Sequence, residues 1–123
     1  MMNTSIINIK MPDKHKDILN HVLNKIIGNS HVYSIYLFGS CAKGTATEKS
    51  DIDIFVVTDS HIIDDTHPAF DAIYGAADDI PLENYISCDI LTASKEAFDK
   101  DASHLITVVK RKGIKLWDTM KMV

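Results

Sequence analysis

The chain has 123 residues, 46% hydrophobic and 24% charged, the composition of a soluble domain large enough to bury one core. Its formal net charge of −4 argues against a surface built to grip nucleic-acid phosphates, so no direct nucleic-acid partner is expected, and a basic protein partner is electrostatically welcome. Met1–Met11 is interrupted by Asn3, Thr4, Asn8 and Lys10, and no segment offers the apolar run of a signal peptide or of a membrane helix, roughly 18 residues or more; one cytoplasmic domain over residues 1–123 is the expectation.

The first strong pattern runs from Asp13 to Ile27, where Ile18, Leu19, Val22, Leu23, Ile26 and Ile27 recur at helical spacing. Asp13 is a candidate N-cap after Pro12, and Gly28 closes the helix. Val32–Phe38 is rich in β-branched and aromatic residues and stops at Gly39-Ser40, which reads as a strand feeding a tight turn. Cys41-Ala42-Lys43 fits a single helical turn that Gly44 breaks. In Asp51–Val57, Ile52, Ile54 and Val56 alternate with Asp51, Asp53 and Phe55, the period of a strand whose faces differ.

His61–Pro68 reads as loop, Ala69–Ala77 as a short helix, Ser87–Thr92 as a third strand, and Ser94–Lys100 as a helix capped by Ser94 with Glu96 in its first turn. Leu105, Ile106, Val108 and Val109 line a last helix that Gly113 ends, with Lys110-Arg111-Lys112 as a solvated, dipole-compatible C-terminus. Ile114, Leu116 and Trp117 suggest a final strand. Strands interleaved with helices predict an α/β (α+β) domain, a small mixed sheet flanked by helices.

Two carboxylates at i and i+2 on a strand leave the same face with Cα atoms about 6.5–7 Å apart, so their oxygens can converge on one or two cations. Asp51 and Asp53 have that spacing. Aspartate is depleted in strands, and two like charges before Ile54–Val57 repel unless something neutralises them; a divalent metal is the simplest candidate. Upstream, the turn at Gly39-Ser40 can aim backbone N–H groups and the Ser40 hydroxyl at a phosphate, with Gly39 permitting close approach and Lys43 adding positive charge. Ten residues separate Ser40 from Asp51, enough for a turn and a return loop that bring cradle and carboxylates together.

Asp89, between Cys88 and Ile90, is the third candidate ligand and a possible acceptor of the attacking hydroxyl's proton. Asp78, Asp79 and Glu83 read as ordinary loop acids. Cys41 and Cys88 fit no zinc or redox spacing and read as small apolar fillers, and Tyr33, Tyr36, Tyr74 and Tyr85 as core or surface aromatics. His61, Asp64, Asp65 and His67 match no common ligand pattern.

Gly39-Ser40, ten residues, then Asp51-Ile52-Asp53 resembles the signature of minimal nucleotidyltransferases in the DNA polymerase β superfamily. The leading helix, the aspartate-bearing strand, Asp89 and the Lys112-Gly113-Ile114 ending follow the same order. The resemblance implies a polymerase-β-like fold, ATP as substrate, and Mg²⁺, with two ions held by Asp51, Asp53 and Asp89 while Gly39, Ser40 and Lys43 meet the phosphates. It further implies the antitoxin of a toxin–antitoxin pair, which transfers AMP to a tyrosine of a HEPN ribonuclease toxin within a hetero-oligomer. Family members often carry arginines where Cys41 and Lys43 stand, and lysine lacks the bidentate fork. The competing readings are a contact-only antitoxin, a nucleotide sensor, and the catalytic subunit of a small-molecule adenylyltransferase.

Overall fold

The computed structural model describes residues 3–119. In chain order the elements are α1 (Thr4–Ile7), α2 (Asp13–Ile26), β1 (Val32–Phe38), α3 (Ser40–Lys43), β2 (Ile52–Thr58) and α4 (Phe70–Tyr74). A 3₁₀ turn (Leu82–Asn84), β3 (Cys88–Ser94), α5 (Lys95–Asp99), α6 (His104–Lys112) and β4 (Ile114–Asp118) follow. The strands form one sheet in the order β3-β2-β1-β4. β1 runs antiparallel to both β2 and β4, while β2 and β3 are parallel, so the sheet is mixed, as expected.

Helices cover both faces of this sheet, which is why β1 and β2 read as nearly continuous apolar runs. Ile52, Ile54 and Val56 join Ile35, Leu37 and Leu116 on the face packed against Leu19, Val22, Leu23 and Ile26 of α2. The alternate residues Phe55 and Val57 lie on the other face, where Phe98 of α5 and Ile106 and Val109 of α6 close a second, smaller core. Asp53 shares that second face by strand alternation. It precedes the point where the aromatic packing begins, Phe38 against Phe55 with ring centroids 6.4 Å apart.

Several boundaries differ from expectation for local reasons. Pro12 is the N-cap of α2, and Asp13 is the first helical residue; its carboxylate favours the positive helix end without capping it. The helix expected over Ala69–Ala77 spans only Phe70–Tyr74, with Gly75 as its C-cap. β3 extends to Ser94. The short α1 was absent from the sequence reading: Asn3 starts it by accepting from the Ser5 N–H at 2.8 Å, a local cap that leaves no periodicity to detect.

Ser94 ends β3 and caps α5, its Oγ accepting from the Ala97 N–H at 3.1 Å. Ser94→Ala is expected to cost about 1 kcal/mol and to lower the melting temperature by about 4 °C, measured by circular dichroism. No helix among the described residues is long and apolar enough to cross a membrane.

Candidate active site

β1 delivers the chain to Gly39, whose φ of +73° suits glycine. The reversal leads directly into α3, whose first N–H groups have no intrahelical acceptor. Gly44, with φ +76°, ends this single turn in the left-handed conformation. A Cβ at Gly39 would stand 2.2 Å from Asp53 Oδ2. The glycine therefore serves two ends: it permits the turn and leaves room for the Asp53 carboxylate against the backbone.

Asp53 pairs across the ladder with Phe38 of β1 and with Asp89 of β3. Adjacent strands lie about 4.8 Å apart, and the two carboxyl groups come within hydrogen-bonding reach. Burial, then the charge of Asp89, then that of Asp51, push the Asp53 carboxyl above its ordinary value. Asp51 and Asp89 are exposed and Asp53 is half-buried. Asp53 and Asp89 from two strands, with Asp51 just before β2, place three acidic groups near one end of the second sheet face, and their mutual repulsion fits a hard divalent cation, which takes oxygen ligands.

Of the expected phosphate-binding residues, the structure brings Gly39 against Asp53 and places Ser40 at the first position of α3. Lys43 is exposed at the last position of that turn. Burial raises the thiols of Cys41 and Cys88, the latter to about 11, so both remain protonated and are poor nucleophiles. Cys41 is more than a filler, since its Sγ lies 3.6 Å from the Asp51 carbonyl as a weak donor.

His15 was missed by the sequence reading. It is 1% exposed, and its Nε2 lies 2.8 Å from the Ser50 carbonyl, one residue before Asp51. The signal was present in the spacing, because positions 15, 18, 19, 22 and 26 share the apolar face of α2.

The histidine-rich loop also differs from the grouping considered in the sequence. The His67 N–H donates to the Asp64 carbonyl at 2.9 Å, but its ring turns to Asp59, with Nε2 3.1 Å from Asp59 Oδ1, and His31 Nδ1 lies 2.5 Å from Asp59 Oδ2. These three could be taken for metal ligands, their donor atoms lying within 4.8 Å of one another. However, His67 Nδ1 accepts from the Ala69 N–H at 3.0 Å, so the neutral ring carries its proton on Nε2 and has no lone pair there for an ion. The trio is a hydrogen-bonded clasp, at the opposite end of β2 from Asp53.

The His31 hydrogen bond, followed by smaller contributions from the neighbouring groups, holds the Asp59 carboxyl below its ordinary value. Its stabilising effect is therefore complete above about pH 3.9, the unfolded value, and fades as pH falls through the depressed folded value. Asp59→Asn should cost about 1 kcal/mol at neutral pH, as expected of a part-exposed pair. In thermal melts the gap from wild type should narrow below about pH 3.9.

A family profile described as "Nucleotidyltransferase domain" matches residues 14–116. The chain belongs to the nucleotidyltransferase domain family. The match spans β1 to β3 and the start of β4, the Gly39-Ser40 turn and all three carboxylates. Solved structures agree on the polymerase-β-like nucleotidyltransferase fold. One, from Sulfolobus solfataricus and carrying a nucleotidyltransferase assignment, has 22% identity and a TM-score of 0.50 over 95% of this chain and 86% of its own. A toxin–antitoxin solved with AMP-PNP is 26% identical, with a TM-score of 0.53 over 86% of this chain and 75% of its own. A mutant of the MntA–HpeT toxin–antitoxin is 24% identical, with a TM-score of 0.52 over 89% and 76%. No curated protein matches.

Proposed function

We propose that this nucleotidyltransferase transfers AMP from ATP to a hydroxyl of a partner protein, a tyrosine of a HEPN-type toxin, and thereby acts as its antitoxin. The observation that carries this reading is Asp53 opposite Asp89 in the β2–β3 register and against the Gly39 turn, with Asp51 two residues earlier in the chain. The toxin–antitoxin bound to AMP-PNP supports both the adenine nucleotide and the kind of partner. The form of the site supports a macromolecular acceptor. Asp51 and Asp89 are exposed, and Leu91, two residues beyond Asp89 on the same face of the edge strand β3, is 44% exposed.

In this mechanism Asp51, Asp53 and Asp89 would hold Mg²⁺, and Asp89 also lies on the exposed edge strand from which an acceptor would approach. Bound magnesium supplies charge neutralisation for the attacking and leaving oxygens of an in-line displacement. The Ser40 hydroxyl and the leading N–H groups of α3 hold the terminal phosphates, and Lys43 adds positive charge at the rim. A new bond forms between the acceptor oxygen and the α-phosphorus while the bond from that phosphorus to the α,β-bridging oxygen breaks, releasing pyrophosphate. The acceptor's proton passes to the Asp89 carboxylate and then to solvent.

The test is intact-mass spectrometry of the partner after incubation with this chain, ATP and Mg²⁺. A gain of one or more AMP units supports the reading. A stable complex with no mass gain would instead indicate neutralisation by contact alone.

A further inference from the structure

We propose that His15 is a positioning residue for Asp51, holding the backbone that presents this carboxylate to the metal; the inference rests on the metal-binding reading of Asp51, Asp53 and Asp89. Two of these three are fixed by the sheet itself. Asp53 lies in the paired register with both Phe38 and Asp89, and Asp89 lies within β3. Asp51 lies just before β2, which begins at Ile52, and is exposed at the end of the loop from Gly44. Its direction depends on what grips that loop.

The grip comes from two buried side chains on two helices. His15 of α2 meets the Ser50 carbonyl at 2.8 Å, and Cys41 of α3 lies 3.6 Å from the next carbonyl, that of Asp51. The following residue, Ile52, donates its N–H to the Ser87 carbonyl at 2.9 Å. Upstream, Ser50 closes a turn with Thr47: its Oγ accepts from the Thr47 N–H at 2.9 Å, and its own N–H reaches the Thr47 carbonyl at 3.0 Å. Successive peptide units are thereby held from different sides, which leaves the Asp51 side chain a narrow range of directions.

The chemistry of His15 separates this role from simple packing. A carbonyl only accepts, so Nε2 carries the ring proton, and Nδ1 of the neutral ring is a bare lone pair. That Nδ1 is buried with no hydrogen-bond partner among the described residues. Burying an unsatisfied acceptor on the apolar face of α2 is unfavourable, and leucine, as at positions 19 and 23, would fill such a place without that cost. What histidine adds is a rigid donor aimed at Ser50.

The experiment measures Mn²⁺ binding by electron paramagnetic resonance, and transfer rate against Mg²⁺ and ATP concentration, on the full chain. His15→Leu, His15→Gln and Asp51→Asn are compared with wild type. The expected result is metal affinity weakened about tenfold in His15→Leu, as for lost support of a metal ligand, with KM for ATP unchanged and the rate recovered at high Mg²⁺. His15→Gln, which keeps a donor on a stem of similar reach, should restore most of the affinity. Wild-type Mn²⁺ binding in His15→Leu overturns the proposal, as does equal loss in folded Leu and Gln variants, which would show a packing role. Should the Leu variant not fold, long-range ¹H–¹⁵N spectra of wild type decide: a protonated Nε2 and bare Nδ1 support the proposal, and the reverse tautomer overturns it. Wild type and Asp51→Asn binding Mn²⁺ equally would instead refute the metal-binding reading on which it rests.

Discussion

Asp51→Asn/Asp53→Asn should abolish nucleotide transfer, by a factor on the order of 10³ or more, while leaving the metal-free protein at least as stable as wild type. The loss follows from removing two of the three charges proposed to hold the cation, since metal stabilisation of the charge developing on phosphoryl oxygens contributes several kcal/mol, and each ~1.4 kcal/mol is tenfold in rate. The stability change follows from the same crowding. Burial and the charges of Asp89 and Asp51 raise the Asp53 carboxyl above its ordinary value, so folding penalises its ionised form. This penalty is present above the raised folded value and disappears as pH falls through it towards the unfolded value of about 3.9. Metal-free wild type should therefore gain stability on acidification through that window, and the double variant should not. Magnesium should raise the wild-type melting temperature at neutral pH by mass action and leave the variant unmoved. Calorimetric scans with and without Mg²⁺, together with the mass assay, separate these outcomes; residual transfer within tenfold of wild type would remove Asp51 and Asp53 from the chemistry.

Gly39→Ala should damage both stability and transfer. It places a β-carbon on a residue with φ +73° and sets that carbon 2.2 Å from Asp53 Oδ2. The conformational term alone costs about 1–3 kcal/mol. The steric term can be relieved only by swinging the Asp53 carboxylate away or by lifting the turn from β2. Either response separates the proposed phosphate cradle from the proposed metal ligands, so transfer should fall about 100-fold, as misplacement of about 1 Å can do. Rate assays and thermal melts on the purified variant test this. Unchanged activity with lowered stability would show that the turn and the carboxylates act independently.

The parts of the candidate site were legible in the sequence because they are short-range. The strand alternation and the abrupt stop at Gly39-Ser40 are properties of consecutive residues; the stop emerges in the structure, while β2 spans Ile52–Thr58 rather than Asp51–Val57, so Asp53 lies in the strand and Asp51 at the end of the preceding loop. Asp89 was reached through its apolar surroundings, and the register of β2 with β3 brings it opposite Asp53. Features assembled from distant segments were less accessible. His31, Asp59 and His67 come from three stretches of chain joined by the return of the loop, so the neighbouring Asp64 and Asp65 attracted the attention instead. Asp64 in fact accepts from Thr66. Among the missed features, His15 was recoverable from helical spacing alone, although its partner Ser50, 35 residues away, was not.

The parallel pairing of β2 with β3 has a consequence for how the site comes into being. β1 and β2 are joined by the short stretch 39–51, whereas β3 reaches β2 only after the crossover 59–87, a longer loop to close and a slower pairing to form. The turn, Asp51 and Asp53 can assemble as a local unit while Asp89 is still in transit. During refolding, tight metal binding should therefore lag behind formation of the β1–β2 pair and coincide with the docking of β3, so that acquisition of the metal marks completion of the fold.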